Sequence, residues 1–517
     1  MTSSSGKQRY YITTPIYYVN DKPHIGHAYT TLACDVLARF KRLDGYETHF
    51  LTGTDEHGQK VEKSAEKAGV DPQTFTDQVS QNFRDLTAGF GFSQDDFIRT
   101  TEERHKKACQ ALWKRLEEKG FIYLGGYEGW YAVRDEAFYT ETELVEGPNG
   151  QKLAPTGAEV EWVEEPSYFF KLSAFTEKLL EHYETNPDFI GPSSRRNEVI
   201  SFVKGGLRDL SISRTTFKWG VPVPGNDEHI MYVWLDALTN YMTAVGYPDV
   251  ESGIYQKFWP ADLHMVGKDI LRFHAVYWPA FLMAADLPLP KRVFAHGWWT
   301  NEGQKISKSL GNVIDPFALK DEFGLDQVRY FMLREVPFGN DGDYSRHQMI
   351  QRINSDLAND IGNLSQRVLS MIFKNCDAQI PTPGAYTEAD QALLQQAEAL
   401  LPALRDHFDR QSFHKGLEQV WDVISAANRY VDEQAPWGLK KTDPERMKTV
   451  LYVLADVIRQ IAILVQPVMP ESMDRMLSQM GVDPEKRSFA DIGLSLQSGY
   501  ALEKPVGVFP RFVEEEA

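Results

Sequence analysis

His24 and His27 stand three residues apart around Gly26, and they follow an apolar run formed by Tyr10, Tyr11 and Ile12. That order predicts a strand, a tight turn and the start of a helix, where backbone N–H groups and the positive end of a helix dipole can meet an anion. Gly26 would let a planar ring or a phosphate come close to the backbone. Far downstream, Lys305 and Lys308 lie three apart in Lys305-Ile306-Ser307-Lys308-Ser309, with Gly303 before them and Gly311 after them. Lysines on a glycine-bracketed loop are mobile cations that could reach the phosphates of a nucleotide held at the first segment. Taken singly, the histidines could be capping or core residues and the lysines plain surface charges. Both segments in one chain, in this order, point to a substrate activated with ATP.

The elements that must hold these residues are legible from periodicity. From about residue 8 to about 115, short apolar runs such as Thr48 to Leu51 alternate with helical patterns, a βα rhythm that implies a parallel sheet. The stretch 118–225 is rich in Gly, Pro, Tyr and Trp and carries short alternating segments such as Glu159 to Val163, which predicts an inserted, mostly β module. Trp130, Tyr131, Tyr139 and Trp162 are its expected core. The βα pattern is expected to resume at Ile230 to Trp234 and at Leu263 to Gly267, and to close with Arg292 to His296. Beyond residue 345 the chain turns helical: Ile350, Ile353, Leu357, Ile361, Leu364, Val368 and Ile372 step by three or four, as a core-facing stripe does. Further stripes follow, with Pro436 ending one helix and Pro467 and Pro470 another. The fold class expected is α/β: a Rossmann-like parallel-sheet domain (1–117 and 226–344) interrupted by the module at 118–225, then a helical bundle (345–480) and a tail (481–517).

A chain of 517 residues is too long for one core, so two or three domains are expected. No apolar run approaches about 18 residues, and Met1 to Gln8 has no apolar stretch of the kind a secretory signal needs. Three widely spaced cysteines, Cys34, Cys109 and Cys376, suit a reducing cytoplasm and no disulfide framework. The net charge of -18 excludes a protein that coats polyanions non-specifically, so any RNA contact must come from local basic or aromatic surface.

These two segments resemble the ATP-binding pair of class I aminoacyl-tRNA synthetases, and their surroundings resemble the methionyl-tRNA synthetase family. Thr13 to Asn20 leads into the first segment, and Thr52-Gly53-Thr54-Asp55-Glu56-His57-Gly58 follows it. Tyr232 to Ala237, Gly267 to His274 and Asp432 to Trp437 complete the match, which covers nearly the whole chain. The resemblance implies that His24, Gly26, His27, Lys305 and Lys308 handle ATP, with the two histidines and two lysines catalytic, and that Gly267 and Asp269 contact its ribose. It implies that Asp55 binds the α-ammonium of methionine, although an N-cap or Asx turn is the plain reading of an Asp there. The methionine pocket would combine Ile16, Tyr18, Trp234, Ala237, Leu238, Tyr241, Ile270, Phe273 and His274. Thioether sulfur gains modestly from aromatic contacts, and a Tyr hydroxyl or His N–H could hydrogen-bond it weakly.

The resemblance also makes Asn363, Arg367 and Trp437 anticodon readers. Asn363 and Arg367 are i and i+4, on a helix face about 110° from the centre of the apolar stripe. Trp437 could equally be a core anchor or a platform for an unpaired base. Ile306 stands where the family most often has methionine, an apolar exchange that leaves the loop's anchor intact. Many relatives hold zinc on CxxC knuckles in the inserted module. This chain has no cysteine between Cys109 and Cys376, so no zinc and no other structural metal is expected. Mg²⁺ is expected with ATP, without a dedicated carboxylate cage.

The implied activity is a methionine–tRNA ligase whose partners are L-methionine, ATP and the initiator and elongator tRNAs for methionine. No membrane contact is expected, and a monomer is, because the chain lacks the C-terminal extension through which some relatives dimerise. The leucine, isoleucine and valine synthetases carry a far larger insertion, and the cysteine enzyme needs thiolates for zinc that this chain lacks. A non-catalytic tRNA-binding relative would have no reason to keep both ATP segments.

Overall fold

The computed structural model describes residues 7–19, 22–135, 137–306 and 311–514. Two compact units emerge. One comprises Arg9–Pro23 and Thr48–His296; the other comprises Met1–Gln8, His24–Glu47 and Gly297–Ala517.

The first unit is built on a seven-stranded sheet of β1 (Arg9–Thr13), β2 (Tyr17–Tyr18), β3 (Glu47–Asp55), β4 (Asp96–Arg99), β5 (Ile190–Gly191), β6 (Leu263–Gly267) and β7 (Val293–His296). Its order is β5-β7-β6-β1-β3-β2, with β4 also paired to β3. The pairs β1–β6, β5–β7, β6–β7, β2–β3 and β3–β4 are all parallel. Strand β6 is buried at four successive positions, Leu263 to Val266, as a strand covered on both faces must be. Helix α1 (Ile25–Leu43) belongs to the second unit, whereas α2 (Glu103–Glu118) and α3 (Val233–Thr243) belong to the first.

Three features of this unit depart from the periodicity. Asn226–Met231 is not a strand of the parallel sheet. It pairs antiparallel with Ser213–Arg214 and Pro222–Val223, because Pro224 and Gly225 close a hairpin in which Val223 faces Asn226 and Gly225 takes φ 79°. The inserted stretch does carry a long antiparallel pair, Ile122–Ala132 with Glu161–Phe170. It also holds the helices Thr176–Thr185 and Ser193–Lys204, and its strand β5 joins the main sheet. Finally, Trp130 and Trp162 are cross-strand partners and so share a face, with Trp162 53% exposed; Tyr131, one residue on, is buried on the other face. The buried residues at this place are Ala132, Ala154 and Ala158, against which Tyr139 and Val160 pack.

In the second unit, α1 and α4 (Leu325–Arg334) are joined by a fully buried ion pair, Arg329 Nη2 to Asp35 Oδ2 at 2.7 Å. Arg329 also donates to the carbonyls of Pro467 and Val468. The predicted stripe forms one long helical run: Arg346–Arg352, a π-helical segment Ile353–Gly362, then α5 (Asn363–Asn375). Ile353, Leu357, Ile361, Leu364, Val368 and Ile372 are all buried. The wider π turns shift the phase at the start of the run, so Met349 is buried where Ile350 was expected. Helices Glu388–Glu398, Leu400–Asp409, α6 (Phe413–Gln434), α7 (Pro436–Thr442) and α8 (Pro444–Val465) complete the bundle. Pro436 does more than end a helix: Ala435 turns left-handed at φ 44° and Pro436 starts α7 as its first residue. Among the described residues, no helix is long and apolar enough to cross a membrane.

Candidate active site

Helix α1 begins at a capping box made of the two histidines. His24 is the N-cap, and its Nδ1 accepts the Gly26 N–H at 3.0 Å; His27 Nδ1 accepts the His24 N–H at 3.1 Å. A ring nitrogen that accepts carries no proton, so each imidazole is neutral with its hydrogen on Nε2. Burial, reinforced by His24 at 4.0 Å between ring centroids, holds the His27 imidazole well below its ordinary pKa. Gly26 has a local steric reason as well: a Cβ there would come within 2.9 Å of the His24 ring. Two neutral rings at a helix N-terminus, each with its hydrogen on Nε2, are suited to an anionic ligand.

Lys305, in the same unit, is exposed on a two-stranded hairpin. Trp299–Asn301 pairs antiparallel with Gln304–Lys305 across a turn in which Glu302 and Gly303 both have positive φ. Asp343 holds this turn by accepting from the Gly303 N–H and the Thr300 hydroxyl. Asn312 donates to the Lys305 carbonyl at 3.1 Å, so the hairpin is fastened on the far side of the lysine loop. Lys308 lies outside the described residues.

The first unit gathers the residues expected around methionine. Trp234, Ala237, Leu238 and Tyr241 occupy i, i+3, i+4 and i+7 of α3 and share one face. Phe273 stacks on Trp234 with centroids 3.7 Å apart and planes 8° from parallel. Tyr241 Oη lies 2.6 Å from His274 Nε2, and His274 Nδ1 lies 2.9 Å from the Ile270 carbonyl. Burial pushes the His274 pKa down to about 4. The neutral ring therefore donates from Nδ1 to Ile270 and accepts the Tyr241 hydroxyl hydrogen at Nε2. Both hydrogens considered for the thioether are thus used inside the protein.

Ile16 and Ile270, both partly buried, pack with Trp234 against the main core. Tyr18 faces Asp55 across β2 and β3, and the Val19 N–H donates to the Asp55 carbonyl. Asp55 is 7% exposed at the carboxyl end of β3. Gly267 closes β6, and a Cβ there would sit 2.6 Å from Asp269 Oδ1, so the glycine makes room for the carboxylate two residues on. Strand ends of this kind are where open parallel sheets place ligands.

Periodicity and spacing missed a buried group on the same helix. Asp236, on α3, takes His57 Nδ1 at 2.6 Å and His105 Nε2 at 2.7 Å on its two carboxylate oxygens. Burial alone would raise the Asp236 carboxyl, but the two histidines outweigh it and hold the group well below the usual carboxylate range. One signal was present: a lone carboxylate in the otherwise apolar start of α3 must find a partner.

Two family models account for the chain. One, described as tRNA synthetases class I (M), matches residues 10–369; the other, the anticodon binding domain of methionyl tRNA ligase, matches 380–517. A methionine–tRNA ligase of Rickettsia bellii is 59% identical over 98% of this chain and 99% of its own length, and one of Mesorhizobium japonicum is 57% identical with the same coverage. The crystal structure of Mycobacterium tuberculosis methionyl-tRNA synthetase bound by methionyl-adenylate superimposes with a TM-score of 0.95, at 54% identity, over 97% of this chain and all of that one. Its apo form gives 0.90, at 50% identity, over 99% of this chain and all of that one.

The chain belongs to the methionyl-tRNA synthetase family. A methionyl-tRNA synthetase needs a surface for the anticodon as well as a pocket for methionine, and three expected residues lie on the bundle. Asn363 is exposed at the start of α5, and Arg367 follows one turn later. Arg367 donates to Asp432 at 3.0 Å and lies 5.7 Å from the centre of the Trp437 ring. Trp437 is 50% exposed in the first turn of α7, so it is no core anchor.

Proposed function

We propose that the residues described above divide the methionine–tRNA ligase reaction between them. The methionine carboxylate, ionised at neutral pH, attacks the α-phosphate of ATP; the bond to the β-phosphate breaks, giving methionyl-adenylate and pyrophosphate. A terminal ribose hydroxyl of the tRNA then attacks the adenylate carbonyl, and AMP leaves. Asp55 holds the α-ammonium by a charge-assisted hydrogen bond. The α3 face with the Trp234–Phe273 stack, Ile16, Tyr18, Ile270 and the Tyr241–His274 pair receives the thioether chain. Gly267 and Asp269 take the ribose. His24 and His27 donate Nε2–H to the phosphates, Gly26 gives them room, and Lys305 and Lys308 offset charge on the departing pyrophosphate. Catalysis is positioning and charge stabilisation, with no covalent intermediate on the enzyme.

The single observation that supports this reading best is the α3 face, which brings Trp234, Ala237, Leu238 and Tyr241 together beside Phe273 and His274. ATP–pyrophosphate exchange assayed across the amino acids tests it. Exchange should depend on methionine, with leucine and isoleucine at least a hundredfold poorer. No exchange with any amino acid would mark a non-catalytic tRNA-binding protein.

Mg²⁺ enters with ATP as part of the substrate. We further propose that the protein carries no zinc. Among the described residues, the side chains that could hold an ion are His105, Cys109 and Asp236. Their atoms are already in hydrogen-bonding contact, His105 Nε2 at 2.7 Å from Asp236 and 3.2 Å from Cys109 Sγ. Elemental analysis finding about one zinc per chain would overturn this. The anticodon surface is proposed to be Asn363, Arg367 and Trp437 within the bundle at 345–480, serving initiator and elongator tRNA alike. The enzyme is proposed to act as a cytoplasmic monomer, a reading supported by three buried, unbridged cysteines as regards the compartment.

A further inference from the structure

The buried group around Asp236 is more than a satisfied carboxylate. We propose that Asp236, clamped between His57 and His105, is a positioning residue that sets the Asp55 carboxylate against the methionine-binding face of α3. The proposal rests on the reading of Asp55 as the ammonium site.

His57 lies two residues beyond Asp55, where β3 ends and the chain leaves the sheet. Every residue of that exit is fastened. The Asp55 carbonyl takes the Val19 N–H, and the Glu56 N–H donates to the Thr100 hydroxyl. The Glu56 carboxylate receives Arg99 through Nε at 2.6 Å and Nη2 at 2.9 Å, together with the hydroxyls of Thr54 and Thr101. Trp219 Nε1 donates to the Glu56 carbonyl, and the Gly58 N–H donates to the Trp219 carbonyl. Of these bonds, His57 to Asp236 is the one that runs to α3, the helix that carries Trp234, Ala237, Leu238 and Tyr241. It links the segment that would hold the ammonium directly to the face that would hold the side chain.

The second oxygen of Asp236 is held from α2. His105 Nε2 lies 2.7 Å from it, and His105 Nδ1 lies 3.2 Å from the Thr243 hydroxyl at the end of α3. One turn on, Cys109 lies against the Asp236 carbonyl at 3.6 Å. Asp236, His105 and Cys109 are fully buried and His57 is 2% exposed. A carboxylate in such a place costs several kcal/mol of desolvation, and apolar residues of similar volume would hold the helices together as well. What apolar packing cannot supply is a direction. One hydrogen bond to a carboxylate that His105 fixes from the other side orients the His57 ring, and with it the two residues back to Asp55.

The two histidines use different ring nitrogens, and that makes the proposal testable by crossed substitution. The amide nitrogen of Asn falls where Nδ1 of His lies, and that of Gln falls where Nε2 lies. His57→Asn and His105→Gln should therefore keep the bonds to Asp236, while His57→Gln and His105→Asn lose them. In ATP–pyrophosphate exchange we expect Asp236→Asn, His57→Gln and His105→Asn to raise the methionine KM tenfold or more, with the ATP KM within twofold of wild type. His57→Asn and His105→Gln should stay within threefold for both. Binding of 4-(methylthio)butanoate, methionine without its amino group, should be unchanged in all five variants, because it makes no use of Asp55.

If the KM values for methionine and ATP rise together and follow the melting temperature, or if the crossed pairs do not differ, the cluster is merely structural and the proposal falls. An Asp55→Asn variant separates the two readings. A methionine KM unaltered by Asp55→Asn overturns the assignment of Asp55 itself. A raised KM there, with wild-type values in Asp236→Asn, overturns the positioning role alone.

Discussion

In the proposed reaction each histidine at the start of α1 has two tasks, one on each ring nitrogen. Nδ1 caps the helix and Nε2 presents a hydrogen, so structure and chemistry can be separated by substitution. The side-chain oxygen of Asn sits where Nδ1 of His24 accepts the Gly26 N–H, but nothing in Asn reaches the place of Nε2. His24→Asn should therefore keep the melting temperature and lose more than tenfold in the rate of pyrophosphate exchange. His24→Ala should lose the same rate and also about 1 kcal/mol of stability, the usual worth of an N-cap. A His24→Asn enzyme with wild-type exchange would remove this ring from the chemistry and leave it only the cap. Spacing alone could not divide the roles, because a His-x-x-His pair beside a helix start is the same sequence whether it caps, binds or does both.

At the scale of elements, the bundle offers a matching separation between activation and charging. Trp437 stands half exposed at the head of α7, with the Arg367 guanidinium over its ring. Trp437→Ala should leave methionine activation near wild type and the melting temperature within about a degree, since surface substitutions rarely move stability by more than about 0.5 kcal/mol. Charging of tRNA should fall roughly ten- to a hundredfold, the worth of a base stacked on an aromatic ring. A parallel loss of activation, charging and melting temperature would mean that Trp437 steadies the fold and does not read the anticodon. Much of this architecture was legible beforehand, for a physical reason. Ile353, Leu357, Ile361, Leu364, Val368 and Ile372 must share a buried face whatever the details, so their period announces a helix. The helical face of α3 was not legible from periodicity: Trp234, Ala237, Leu238 and Tyr241 come from the resemblance, and the βα pattern puts Trp234 at a strand end, whereas the helix starts at Val233. Periodicity could not reveal the π segment that shifts the phase at Met349. Nor could it see that a Pro224–Gly225 turn sends Asn226–Met231 into a separate antiparallel sheet, since an apolar strand end reads alike in either. The bond between His57 and Asp236 joins residues 179 apart, a distance at which spacing carries no signal.

Across the whole molecule, burial keeps several imidazoles neutral, and that sets how the protein should respond to acid. His27 and His264 are held well below the ordinary imidazole value, His274 is pushed down to about 4, and His182, His229 and His414 are lowered as well, in each case chiefly by desolvation. In the unfolded chain these rings titrate near 6.5. Between that pH and the lowered folded value the unfolded state therefore binds more protons than the folded one. The sign follows: stability rises with pH through this window and is lost as pH falls below about 6.5, for His274 down to its folded value of about 4, by roughly 1.4 kcal/mol per pH unit for that ring. Asp236 adds nothing in this range, because its carboxyl is lowered and its contribution is lost only below the ordinary aspartate pKa. Urea unfolding followed at pH 7, 6 and 5 should show a falling midpoint below pH 6.5. The slope should shrink by about one proton in His274→Gln, whose amide oxygen can take the place of Nε2 as acceptor of the Tyr241 hydroxyl without titrating. A midpoint independent of pH down to 5 would mean that these rings gain their protons inside the fold, and the neutral tautomers assigned to His27 and His274 would fall with it.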